Sequence, residues 1–210
     1  RYDFLFSHDK GFNLVWGSYE FKPSVDVETM VLTPLHYPLA YLFHKASEKL
    51  SFPALIVSSF LPDLETILET GLLLTVGDGG FQRGFVLHSL LGAVTVGLAL
   101  AVVLTVYLYP PVVSHVFRID KKTVADRCRL SLGLVMSCLI GIVAHVFVDT
   151  LHHEYNPFLF PFTSSSFDAL VLFGNWVQAT TVMHVVFVAL SLVVLFYELY
   201  NGTEGFWKRV

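Results

Sequence analysis

Charge is scarce in this chain. Only 14% of its 210 residues are Asp, Glu, Lys or Arg, against about a quarter in soluble domains. Hydrophobic residues make up 54% and the mean hydropathy is +0.64. That scarcity, together with long uncharged apolar runs, excludes an ordinary soluble domain and predicts an integral membrane protein. Basic residues are not in excess either. The net charge is −4, so there is no nucleic-acid footprint. Cysteine is nearly absent: Cys128 and Cys138 lie on one predicted helix, about 15 Å apart at 1.5 Å per residue. They cannot bridge each other there, which excludes a disulfide framework and leaves the redox compartment open. No internal repeat is visible, which counts against an inverted-repeat transporter. Residues 1–29 lack the apolar core and small-residue exit of a cleavable signal peptide.

What is present divides into three parts. Residues 1–29 mix aromatic and polar residues around Pro23, as in short strands or an irregular surface piece, and carry no functional expectation. Residues 30–200 form the membrane-embedded domain, and 201–210 a short tail. Within the domain, 31–49 reads as a helix with Pro34 and Pro38 early. A second helix starts at Ser51 as N-cap with Pro53 in its first turn, and Pro62, Asp63, Glu65 and Glu69 break it halfway. Strong spans follow at 84–109, ended by Pro110 and Pro111, at 130–150 and at 176–200. The expectation is an all-α polytopic bundle of about five helices, three of them clear spans. The 112–129 loop carries five Lys and Arg residues, whereas 151–175 has none. The positive-inside rule therefore puts that loop and the C-terminus in the cytoplasm and the 151–175 connection on the opposite face.

The chain's organising stretch is the end of the second strong span, where His145 and Asp149 are four residues apart. On a helix that spacing places both on one face, a turn apart. Ionisable groups in so apolar a segment are expensive and need a metal, a counter-charge or a water-filled cavity. His152 and His153 follow within a turn. With the topology above, His36, Asp63, His88 and His184 fall at the same depth on the same side. His145 with Asp149 is either a pair of metal ligands or a buried hydrogen bond that fixes packing. Asp63 is a ligand or an N-cap after Pro62. His88 is a candidate ligand one turn inside its helix, and His36 is a ligand or a supporting histidine. At most one of His152 and His153 is expected to bind directly, with Asn156 in support. His184 reads as hydrogen-bonded packing more readily than as a ligand. Glu65 is either catalytic or a solvated or supporting carboxylate. Arg83 is either a phosphate clamp or an interfacial anchor. Phe158, Phe160 and Phe162 suit a membrane interface.

Four motifs occur in order: Thr33-Pro34-Leu35-His36, Leu61-Pro62-Asp63-Leu64-Glu65, Arg83-Gly-Phe-Val-Leu-His88-Ser89, and Ala144-His145-Val-Phe-Val-Asp149. Pro157-Phe-Leu-Phe-Pro161-Phe162 follows them. Over roughly 31–165 this resembles the family of membrane-bound metal-dependent hydrolases, whose members carry TPxH, LPD, RGxTHS, a SHxxxD helix and a PLLWPF-like segment. The chain departs from that pattern at Val86-Leu87 and at Ala144, beside the ligand positions and not on them. Through its distant relatives, the zinc-dependent phospholipase C enzymes and the fungal single-strand nucleases, the resemblance implies a zinc-type phosphoesterase site.

The function expected is a metal-dependent hydrolase of phosphoesters using zinc, with manganese as the other candidate. Thiolate ligation is excluded because neither cysteine is near. The metal ligands are expected to be His36, Asp63, His88, His145, Asp149 and His152, with Arg83 and Glu65 in catalysis. The position at the membrane boundary points to membrane lipids as surroundings and to a lipid-linked substrate. The competing reading is a non-catalytic membrane subunit with a structural metal or a proton-relay cluster.

Overall fold

The computed structural model describes residues 36–76 and 86–202, the side chains of 69–76 excepted. The aromatic segment 1–29, Thr33 to Leu35, Arg83 and the residues after 202 lie outside the described residues. Six helices are present among those described: α1 (Tyr37–Ala46), α2 (Phe52–Val76), α3 (Leu90–Phe117), α4 (Lys121–Arg127), α5 (Leu132–Asp149) and α6 (Trp176–Asn201). The described residues contain no strand. Helices α3, α5 and α6 are long and apolar enough to cross a membrane. Even the shortest, α5, rises about 27 Å at 1.5 Å per residue, close to the roughly 30 Å of a hydrocarbon core. The fold is the expected all-α membrane bundle, with the short α4 inside the 112–129 connection.

Proline does not stop these helices where the sequence suggested. Helix α2 continues through Pro62 to Val76, because α5 packs along it in the most extensive helix pairing of the bundle. Asp63 is therefore inside a helix, and its reading as an N-cap is wrong. The start of α2 is held from another helix: the Ser51 N–H donates to the Ser137 hydroxyl of α5 at 2.8 Å, while the Ser51 hydroxyl makes no hydrogen bond. Pro110 and Pro111 likewise fail to end α3. A π-helical turn, Leu104–Leu108, precedes them, and they sit in the first turn of the stretch Tyr109–Phe117. Wider hydrogen-bond rings just upstream let the chain carry residues that have no N–H to give. The helix ends at Arg118, whose φ of 55° is left-handed.

At its other end α3 begins at Leu90, later than expected. Ser89 is the N-cap, its hydroxyl accepting from the Gly92 N–H at 3.0 Å and donating to the Val86 carbonyl at 2.8 Å. His88 consequently lies in the turn before the helix and not one turn inside it. A Cβ on Gly92 would come within 1.9 Å of the Val86 carbonyl oxygen, so only glycine allows the turn to fold back this closely. The cysteines are also rearranged. Cys128 caps α4 and Cys138 is in α5, so they share no helix; both are free and buried.

Helix α1 lies across α2 and α6. The Tyr41 hydroxyl donates to the buried Glu198 carboxylate of α6. The Lys45 ammonium sits over the Tyr41 and Tyr197 rings, 5.6 and 5.3 Å from their centroids. One apolar core cluster surrounds Tyr41, Phe52 and Leu55. The other, with Leu61, Leu87, Leu134, Ile142 and Val146, joins α2, α3 and α5 beneath the polar site.

Candidate metal centre

The polar side chains of five chain segments meet at one end of the bundle. His36 is the residue before α1. Asp63 and Glu65 come from the middle of α2, His88 from the turn before α3, and His145 and Asp149 from the last turns of α5. His152 and His153 follow in the turn after α5. His36, His88, His145, Asp149 and His152 are all buried. Three overlapping groups could each hold a cation: Asp63, His88 and His145; His36, His145 and Asp149; and Asp149, His152 and His153.

The separations are informative. His145 Nε2 is 3.2 Å from Asp149 Oδ2 and 3.5 Å from Asp63 Oδ1. His88 Nε2 is 3.6 Å from Asp149 Oδ2 and 4.0 Å from Asp63 Oδ1. Most of these exceed the length of an N–H···O hydrogen bond. A tetrahedral cation with bonds of about 2.0–2.1 Å holds its ligands about 3.3–3.4 Å apart. The spacing therefore fits groups that face a common centre better than groups that bond to each other.

The tautomers agree with that geometry. His145 Nδ1 donates to the Ser59 carbonyl at 2.6 Å, so in the neutral imidazole the lone pair is on the buried Nε2, which points between Asp149 Oδ2 at 3.2 Å and Asp63 Oδ1 at 3.5 Å. An imidazole fixed through one nitrogen and open at the other is how proteins present a metal ligand. Gly141, one turn earlier, makes the contact reachable: a Cβ there would lie 2.0 Å from the Ser58 hydroxyl and 3.0 Å from the Leu55 carbonyl. His152 is oriented the same way, its Nδ1 donating to the Val148 carbonyl at 2.9 Å. The His36 ring packs, tilted, with its centroid 4.1 Å from that of His145 and 5.6 Å from that of Phe187 of α6.

Glu65 does a different job from the candidate ligands. Its carboxylate accepts from the backbone N–H groups of Leu87 at 2.8 Å and Val86 at 3.3 Å. It also lies 3.6 Å from His88 Nδ1. Glu65 thus ties α2 to the turn that presents His88, and faces that imidazole on the side away from the two aspartates. The 150–175 connection is anchored to helices on both flanks, the Leu90 N–H of α3 donating to the Phe158 carbonyl at 3.0 Å and the Thr180 hydroxyl of α6 to the His152 carbonyl; within the connection the Leu172 N–H donates to the Leu151 carbonyl at 2.8 Å.

Of the residues singled out in the sequence, His36, Asp63, His88, His145, Asp149 and His152 are brought together, with Glu65 behind His88. His153 joins them as well, its Nε2 3.6 Å from Asp149 Oδ1, so both histidines of the pair face the same carboxylate and not one alone. His184 stays out, its Nδ1 donating to the Thr180 carbonyl one turn back at 2.8 Å. Asn156 is buried and donates to the His153 carbonyl at 3.0 Å, which shapes the histidine turn. Phe162 is exposed, whereas Phe158 stacks on Phe167 at 5.3 Å. The anchoring by Thr180 and the cap at Ser89 carry no sequence signal beyond small polar residues near helix ends.

Three membrane-length helices gathered around a buried His/Asp cluster make this an integral membrane protein. Residues 31–203 match the family described as YdjM inner membrane protein, and the chain belongs to that family. No curated protein and no solved structure matches it.

Proposed function

We propose that this protein is a membrane-embedded, metal-dependent hydrolase acting on phosphoesters, with a divalent cation, zinc before manganese, held by Asp63, His88, His145 and Asp149. The observation that carries the reading is the buried Nε2 of His145, aimed between the Asp149 and Asp63 carboxylates at 3.2 and 3.5 Å while Nδ1 is committed to the Ser59 carbonyl. Two aspartates and neutral imidazoles in an apolar bundle match the charge and donor preferences of such an ion. When bound, the cation supplies Lewis acidity and an acidified water, its pKa near about 7, as nucleophile. The chain's own residues do the rest. Asp63 and Asp149 set the charge of the pocket, Ser59 and Glu65 hold His145 and His88 in register, and the anchored 150–175 connection limits bulk water. Arg83, which precedes the His88 turn, is assigned to the phosphate as a bidentate clamp.

A lipid-linked substrate is supported by the position of the cluster at the end of membrane-length helices. The contrast between the basic 118–129 connection and the cation-free 151–175 connection supports an extracytoplasmic site. The test is metal analysis of the purified protein alongside a phosphodiester assay, for wild type, His145→Ala and Asp149→Ala. Wild type is expected to carry metal and turn over substrate, and both variants to bind less metal and lose turnover. Metal content unchanged in the two variants would sink the reading. Bound metal without turnover would assign the ion a structural role instead.

A further inference from the structure

The two oxygens of Asp149 look in different directions. Oδ2 faces His145 and His88, at 3.2 and 3.6 Å, beside Asp63. Oδ1 faces His153 and His36, at 3.6 and 3.9 Å, and Asp149 forms a separate candidate group with His152 and His153. One carboxylate therefore stands between two sets of imidazoles, the arrangement of a bridge in two-metal sites, whose ions are about 3.5–4 Å apart. We propose that the centre holds two divalent cations bridged by Asp149: an inner ion on Asp63, His88 and His145, and an outer ion on His152 and His153 with His36 beside them. This rests on the metal-dependent reading above.

The two positions differ in surroundings. Every ligand of the inner one is buried or nearly so, whereas the His153 side chain is 24% exposed and lines a cavity of about 160 Å³ with Glu154, Asp168, Val171, Gly174 and Trp176. The outer position thus opens toward water between two acidic side chains, Glu154 and Asp168, both exposed. It also carries less charge. Asp63 and Asp149 together balance one dication, so a second has only the shared carboxylate and neutral imidazoles as ligands, the exposed Glu154 and Asp168 standing at the cavity and outside the candidate group. The outer ion is consequently the exchangeable one, and its uncompensated positive charge takes an anionic oxygen such as that of a phosphate.

The experiment measures metal per chain in detergent-purified protein after equilibration with zinc or manganese and graded chelation, with and without inorganic phosphate. Two ions per wild-type chain are expected, one removed at chelator concentrations at least tenfold below those needed for the other, and held more tightly with phosphate present. His153→Ala, partly exposed and the least disruptive change, should bind one ion and keep the tight step, whereas Asp63→Asn should lose the tight step. Manganese-loaded wild type should show a spin-coupled resonance that His153→Ala lacks. A single ion in wild type, or two ions undiminished in both His153→Ala and His152→Ala, overturns the bridge and leaves the metal-dependent reading standing. No ion in wild type overturns both.

Discussion

At the scale of single residues, Glu65 has the role most open to test. Its carboxylate holds two backbone N–H groups of the 86–88 turn and faces His88 Nδ1. Glu65→Gln keeps an acceptor for one of those N–H groups but removes the charge behind the imidazole. Outer partners of this kind typically contribute 10–100-fold in metal affinity. The expected result is an affinity loss in that range, read by competition with a chromophoric chelator, with the helical circular dichroism unchanged; an unaltered affinity would make Glu65 a backbone staple only. The His145/Asp149 pair was legible because four-residue spacing on a helix has a single geometric meaning. For Glu65 a supporting role was among the readings open in the sequence, but its partners were not legible, since they are main-chain groups of a turn 21 and 22 residues away, which no periodicity reports. Where His153 points was not legible for a related reason. Helix α5 ends at Asp149, and beyond that residue the turn, not a helical repeat, decides where each histidine points.

At the scale of helices, the bundle depends on how closely α2 and α5 approach. Gly141→Ala places a methyl 2.0 Å from the Ser58 hydroxyl and 3.0 Å from the Leu55 carbonyl. Overpacking of this sort costs about 1–3 kcal/mol. It should appear as a lowered thermal midpoint in detergent and, because the shift pulls His145 from the Ser59 carbonyl, as weakened metal binding. Adding Ser58→Ala should restore part of the loss and not all, since the Leu55 backbone remains in the way. Full restoration, or none, would show that the Ser58 contact is not what sets the spacing. The spans themselves were readable from apolar length, and their boundaries were not. Pro62 and Pro110 sit inside helices because packing against α5 and a preceding π turn supply what local preference withholds. The start of α3 was misplaced because a Ser cap and a glycine permitting close approach outweigh a continuous apolar run.

At the scale of the whole molecule, the uneven placement of basic residues predicts an orientation with the α3–α5 connection in the cytoplasm, and labelling tests it. Lys122 and Ser164 are exposed, on connections at opposite ends of α5. Lys122→Cys should react with a membrane-impermeant maleimide only when the cytoplasmic face is open, and Ser164→Cys from the other face of intact cells. The native thiols give little background. Cys128 and Cys138 are buried, and burial pushes the Cys128 thiol up to about 11, so roughly one part in a thousand is thiolate at pH 8. The reverse labelling pattern would move the site to the cytoplasmic face without touching its geometry.

The hydrogen bond from Thr180 to the His152 carbonyl bears on biogenesis. Synthesis proceeds from the N-terminus, and every imidazole and carboxylate of the cluster precedes α6 in the chain. A nascent polypeptide released from the ribosome as far as residue 175 already owns the complete donor set, yet lacks the helix that latches the histidine turn and packs Phe187 on His36. Translation thus passes through a stage in which the cage is furnished but unlatched, and insertion of the last helix closes it.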